Sequence, residues 1–351
     1  MKKIQFRIYL VLAGLLFLAA DTYAGNPDRQ GESGAAELLL NPWGRSAGLH
    51  SLNTSSVSGV ESMRINIAGL GRITGKQIVV GSTRYLEGSD VRLSSFGYTQ
   101  RSGKNGAFGV SLMAVDFGDI NVTTTGQPGG TGATYSPSFF NMGLGYSYTY
   151  DNKISVGLLV RGVSESAPGV SAFGLAIDAG VQYVSGENDN FRLGISLRNI
   201  GAPMQFNGQG LTFKTPNPES ETDQLLSVSQ QAESFEMPSV LNIGISYDFL
   251  FGQNIKLRTM GNFTSNAFSR DEIGAGAEFS FKDMFMLRAG YRTNLKNVSG
   301  EVPNVYSGLS GGASIEVPFN ESGKNKIGVD YAYRATSPFR GTHNLSVRFS
   351  F

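Results

Sequence analysis

From position 76 to position 351 the chain falls into about fourteen short segments in which apolar and polar residues alternate. In Phe191-Arg192-Leu193-Gly194-Ile195-Ser196-Leu197-Arg198 every second residue is apolar, and the others are Arg, Gly or Ser. The last segment sets Leu345, Val347, Phe349 and Phe351 on one face and Asn344, Ser346, Arg348 and Ser350 on the other. A period of two is the mark of a strand with two unlike faces. The connections also alternate. Short turns fall at 102–106, 151–152, 186–190, 252–253, 282–283 and 320–325, and most of the connections between them are longer, notably 117–135, 201–238 and 295–304. A soluble sandwich buries one sheet face as well, but has no reason to keep two classes of loop. Segments of about ten residues, short turns on one side and long loops on the other predict a transmembrane antiparallel β-barrel of about 14 strands. The fold class is therefore all-β, with the barrel over 76–351 and long extracellular loops at 117–135 and 201–238.

Composition fits this pattern. Helical spans need runs of about 20 apolar residues, and none follows the N-terminus despite 40% hydrophobic content. Gly is abundant, with 46 residues, and positions such as Gly143, Gly145, Gly274 and Gly276 fall inside strands. There they relieve crowding on a curved wall. The net charge of +1 predicts no nucleic-acid surface. Absence of Cys excludes a disulfide framework, a thiol nucleophile and a Cys-linked lipid anchor. Two histidines, His50 and His343, are too few for a His-rich metal site. No metal or cofactor is expected.

Residues 1–24 read as a cleaved signal peptide: Lys2, Lys3 and Arg7, an apolar core from Ile8 to Ala20, then Thr22-Tyr23-Ala24 before a cut at Gly25. Export followed by barrel strands predicts a bacterial outer membrane. Residues 25–75 fit no lipid-facing strand. They include Pro42-Trp43-Gly44-Arg45-Ser46-Ala47-Gly48-Leu49 and Asn66-Ile67-Ala68-Gly69-Leu70. Trp43, the sole tryptophan, favours an ordered plug or hatch in the barrel mouth over a loose tail.

Those two motifs resemble the opening of the PorV/PorQ family, which belongs to the FadL-like outer-membrane barrels. An Asn-Pro-Ala-Gly-Leu type motif sits in that family's N-terminal hatch, and Ile67 stands here where the motif has Pro. The resemblance implies fourteen strands and a plug that includes Pro42, Trp43, Gly44, Arg45, Gly48, Asn66, Ala68, Gly69 and Leu70. It implies two alternative functions. PorV-like members accept cargo with C-terminal signal domains in type IX secretion and pass it to surface attachment. FadL-like members pass hydrophobic small molecules through a plugged barrel. A structural scaffold is a third possibility.

The polar faces of the C-terminal strands carry Lys256, Arg258, Glu278, Arg288, Arg292, Asp330, Arg334 and Arg348. With their apolar neighbours facing lipid, these charges point into the lumen and are expected to form ion pairs. They rigidify a closed barrel or, less favoured, line an anion-selective pore. The 201–238 loop is acidic and is broken by Pro203, Pro216, Pro218 and Pro238, which leaves no regular element expected there. Glu219, Glu221 and Asp223, with Leu225, Leu226 and Phe235, form its candidate partner-binding surface. Catalytic readings fail. Asp116-Phe117-Gly118 lacks the other kinase motifs, the glycine-rich stretch 127–132 lacks a Lys-Ser/Thr pair, and neither His lies near a Gly-x-Ser-x-Gly. No two carboxylates fall close together on the polar faces. The expectation is a non-enzymatic barrel, monomeric within a larger complex, contacting outer-membrane lipid and type IX translocon or attachment proteins and secreted cargo.

Overall fold

The computed structural model describes residues 25–217, 224–295, 304–319 and 325–351. The proposed signal peptide therefore lies outside the described residues, as do Glu219, Glu221 and Asp223. The first half of the wall is β1 (Lys76–Arg84), β2 (Arg92–Ser102), β3 (Gly106–Asp116), β6 (Ser138–Tyr150), β7 (Ile154–Ala167), β8 (Val170–Ser185) and β9 (Phe191–Gly201). The second half is β14 (Val240–Phe251), β15 (Ile255–Asn266), β16 (Glu272–Phe281), β17 (Phe285–Asn294), β18 (Tyr306–Pro318), β19 (Lys326–Thr336) and β20 (Thr342–Ser350). These 14 strands form one closed antiparallel barrel, and β1 pairs with β20 to shut it. Closure leaves no open edge, the condition for a sheet whose outer face meets hydrocarbon.

Burial follows the alternation. On β8, Phe173, Leu175, Ile177, Val181 and Tyr183 are exposed, whereas Ala172, Ala176, Asp178, Gln182 and Val184 are buried. The other strands repeat this, as with Leu158 and Val160 on β7, Ile243 and Ile245 on β14, and Leu287 on β17. An apolar belt of this extent is stable only against lipid. The short turns have the backbone that tight hairpins demand. Asp151 and Asn152 have φ of 46° and 55°, and Lys282 and Asp283 have 54° and 51°, the paired left-handed residues of type I′ turns.

Among the described residues the ladder is interrupted twice. Between β8 and β9 the register shifts between Ile177 and Ala179, where Asn199 adopts φ 61°. Between β18 and β19 it shifts between Tyr306 and Ser310.

The long loops contain strands of their own. In 117–135, β4 (Ile120–Asn121) pairs with β5 (Thr134–Tyr135). The expectation of no regular element in 201–238 is corrected. There β10 (Met204–Gln205) pairs with β13 (Ser234–Phe235), and β11 (Thr212–Pro216) pairs with β12 (Leu225–Ser229). Pro216 ends β11, where its missing N–H interrupts no ladder, so it bounds the hairpin without breaking it.

Residues 25–75 form short helical turns, among them Ala36–Leu39, Gly44–Ala47, Ser62–Ile65 and Ile67–Arg72. Their side chains and backbone meet the inward faces of the wall. Trp43 and Val60 pack on Val79 of β1. Met63, Ile67, Leu70 and Ile73 pack on Ala107 of β3 and Leu159 of β7. The in-strand glycines thus have a second cause besides curvature. A Cβ on Gly145 would lie 2.6 Å from Ile67 Cδ1, and one on Gly274 would lie 2.5 Å from Leu52 Cδ2.

Candidate functional site

The two motif segments occupy different sectors of the lumen. Pro42 accepts from Thr83 Oγ1 through its carbonyl (3.2 Å), and Trp43 N donates to Asn41 Oδ1 (3.1 Å). Gly44 N donates to Ser346 Oγ (2.9 Å), where a Cβ would lie 2.7 Å from Asp330 O. Arg45 reaches Glu278 at 3.3 Å, and Gly48 lies against Gly312. This segment is therefore seated on β1, β16 and β18–β20. The second motif sits opposite. Asn66 Oδ1 accepts Ala68 N (3.2 Å), and its amide donates to Thr54 O (3.0 Å) and Val181 O (3.1 Å). The Asn66 side chain thereby caps the Ile67–Arg72 turn with Ile67 in the place of Pro. Ala68 O accepts from Ser147 Oγ (3.0 Å), Gly69 packs on Val57, and Leu70 is fully buried.

The inward charges meet as follows. Arg258 forms a bidentate pair with Asp248 (2.5 and 2.7 Å), and Arg288 Nε lies 2.5 Å from Glu278 Oε2. Arg348 bridges Glu316 (2.8 Å) and Asp330 (3.5 Å), and Arg292 meets Glu272 at 3.4 Å. Lys256 pairs with Asp283 at a turn (2.9 Å). Arg334 is different: it stacks on the Tyr306 ring, 4.9 Å from its centroid, and donates to Asn41 O (3.5 Å). Most of these cations therefore have carboxylate partners, which suits a packed lumen better than a continuous basic lining.

Sequence reading missed part of this interior. Arg161 and Asp178 pair at 2.7 Å, both buried, on β7 and β8 outside the C-terminal strands it singled out. The signal was available, since both fall on inward positions of alternating segments. A second proximity that strand phasing could not show concerns carboxylates. Glu165 of β7 lies close enough to Glu37 for the two carboxyls to act on each other, and Glu37 comes from outside the wall. In the N-terminal segment, Glu61 accepts Ser46 N (2.9 Å), and burial, followed by Asp330, pushes its carboxyl above the ordinary range.

At the loop end, an apolar cluster joins Ala35 and Leu38 to Val163, Ala172 and Ala176 of the wall and to Met204 and Met237 of the 201–238 loop. Phe206 and Phe235 pack against it with ring centroids 5.5 Å apart. The β8–β9 bulge borders this cluster: Asn199 N donates to Asp178 Oδ1 (2.7 Å), and its amide donates to Pro238 O (3.0 Å). Phe235 is thus separated from Leu225 and Leu226, which lie exposed on the β11–β12 hairpin.

A closed barrel with an apolar outer belt defines a class of membrane protein, and solved structures share its fold. One is the Pseudomonas putida toluene transporter TodX, with a TM-score of 0.56 and 15% identity over 89% of this chain and 99% of TodX. The Ralstonia pickettii toluene transporter TbuX follows, with a TM-score of 0.54 and 14% identity over 88% of this chain and 97% of that one. A Pseudomonas aeruginosa FadL homologue gives 0.51 and 13% identity over 89% and 97%. This chain therefore has the fold of the FadL-type outer-membrane barrels. No protein-family model matches the sequence. No curated protein matches it at a significant level.

Proposed function

We propose that this protein is a non-enzymatic outer-membrane barrel that admits small hydrophobic molecules from the loop side and releases them through the wall into the bilayer. The apolar cluster beside the β8–β9 bulge carries this reading. Met204 and Met237 are pliable side chains suited to irregular apolar guests. Small wall residues, Ala172, Gly174 and Ala176, leave the space those methionines fill. Each Å² of apolar solute surface removed from water contributes about 25 cal/mol. A lateral route at the bulge passes beside the Arg161–Asp178 pair and leaves the remaining lumen charges packed around residues 25–75. TodX and TbuX, which share this fold, are toluene transporters, in agreement with such a role. The test is uptake of a fluorescent hydrophobic probe by proteoliposomes containing the barrel. Uptake should exceed that of empty vesicles and fall several-fold on Met237→Trp, which fills the cluster. Equal uptake with and without the barrel overturns the reading.

One observation favours a second reading, a PorV/PorQ-like part in type IX secretion. On β11–β12, Phe213, Val228 and Leu226 lie exposed on one face of a hairpin projecting from the barrel. That face suits a protein partner, such as cargo or an attachment component. Replacing 212–229 with a Gly/Ser turn should abolish partner capture in a pull-down while insertion and probe uptake persist. Unchanged capture sinks this reading.

A further inference from the structure

Arg84 ends β1 and Arg92 begins β2, and the two are direct partners across the ladder. Both are exposed, and both alternate with inward residues, Thr83 and Leu93. Like charges directly opposite on a sheet repel. Neither guanidinium has a carboxylate partner among the described residues. Asp116, the register partner of Arg92 on β3, accepts Gly118 N instead (2.9 Å). On the other side Arg84 is aligned with His343 of β20, whose Nε2 lies 3.2 Å from Glu87. The row therefore holds two cations without a direct ion pair on the outer face of the wall, with Asp116 aligned beside Arg92 and Glu87 beside Arg84.

Its depth is fixed by its neighbours. Tyr331 and Tyr333 face outward on β19, and Tyr331 Oη lies 2.8 Å from His343 Nδ1. Outward aromatic residues of a barrel mark the membrane–water interface. Toward mid-membrane the same columns continue with Ser82 and Ser94, then Val80 and Phe96. A groove of about 350 Å³ runs beside the row, lined by Ser82, Arg84, Glu87, Tyr331, His343 and Leu345. It thus has a polar end at the interface and an apolar side toward the bilayer.

We propose that Arg84 and Arg92 bind the phosphate of a phosphorylated glycolipid headgroup in the outer leaflet, with an acyl chain along Leu345 and Val347. Guanidinium forks match phosphate oxygens, and an anion between them converts their repulsion into attraction. The proposal rests on the outer-membrane placement given above. Its readout is lipid retention and is independent of solute uptake.

The test uses the full chain reconstituted in phosphatidylethanolamine vesicles containing either bis-phosphorylated or dephosphorylated lipid A, followed by native mass spectrometry. The expected result is one retained bis-phosphorylated molecule per barrel and little of the dephosphorylated form. Arg84→Ser with Arg92→Ser should cut retention about tenfold, the loss of roughly one charge-assisted hydrogen bond. Heat-modified gel migration reports whether the double variant folds, and Arg92→Ser alone replaces it if it does not. Equal retention by folded variant and wild type overturns the proposal. So does equal retention of the two lipids, or displacement of the lipid by millimolar inorganic phosphate.

Discussion

Arg161 and Asp178 meet at 2.7 Å across the β7–β8 ladder, and each also holds something else. Arg161 donates to Met63 O (2.9 Å), fixing the N-terminal segment, while Asp178 Oδ1 accepts Asn199 N (2.7 Å), fixing the bulge. One ion pair therefore ties the lumen filling to the break in the wall. Asp178→Asn keeps an acceptor for Asn199 but leaves a buried guanidinium without its counter-charge. The expected cost is about 3–5 kcal/mol, read as a lower temperature of heat-modified gel migration. Adding Arg161→Met should recover part of it. A double variant weaker than Asp178→Asn alone would show that the charge pair is not the source.

Asn66 makes three hydrogen bonds from one buried side chain, to Ala68 N, Thr54 O and Val181 O. Asn66→Ala removes a cap and two donated hydrogen bonds, leaving Thr54 O with only its bond from Gln182 Nε2 (3.1 Å), at a cost of about 1–3 kcal/mol. The strand ladders are untouched, so the loss belongs to the N-terminal segment. Limited proteolysis should cut 25–75 faster in the variant while the barrel stays resistant. Unchanged cleavage would mean that the segment is held elsewhere.

The fold was legible because lipid on one side and packed polar groups on the other impose a strict period of two. Residues 191–198 show this without ambiguity, and loop length then told the two ends of the barrel apart. What alternation does not encode is partnership. It turns Glu278 and Arg288 inward, and they then meet as neighbours in register. It gives no hint that Arg45, from a segment without periodicity, completes that group, or that Glu37 reaches Glu165. The loop strands were hidden for a related reason. Prolines mark where a hairpin stops, and β11–β12 forms between them through backbone pairing that composition does not reveal. The separation of Phe235 from Leu225 and Leu226 follows from that same hairpin, which carries the leucines away from the barrel mouth.

His50 gives a pH-dependent expectation. It lies in the N-terminal segment, buried, with its ring edge-on to Tyr306 at 5.6 Å and Nε2 unpaired among the described residues. Burial lowers its pKa, and Arg292 and Arg334 lower it further. The unfolded imidazole has an ordinary pKa of about 6.5, so as pH falls the unfolded chain takes up this proton first. Stability from this site is full above about pH 7 and declines below about 6.5 by up to ~1.4 kcal/mol per pH unit. Unfolding temperatures of wild type and His50→Phe, compared from pH 8 to 5, should therefore converge or cross as pH falls. Parallel curves would exclude His50 as the titrating group.

Gly157 tests whether the N-terminal segment closes the lumen. It faces inward on β7, and a Cβ there would lie 2.9 Å from the Ile67 carbonyl carbon and oxygen and 3.0 Å from Ala68 N. These are backbone atoms in a turn capped by Asn66, so no rotamer change relieves the contact. The wall cannot retreat either, because β7 is paired along its length with β6 and β8. Gly157→Val must therefore displace the Ile67–Arg72 turn, while a branched residue suits the strand itself. The barrel should still form, and single-channel current in planar bilayers should rise from a closed baseline to discrete openings. Gly261→Val is the control, since a Cβ there meets nothing closer than 3.9 Å and the lumen filling is not involved. Openings in Gly157→Val but not in Gly261→Val assign closure to residues 25–75. A folded Gly157→Val barrel that stays silent would place the seal elsewhere, in the paired charges of β14–β20.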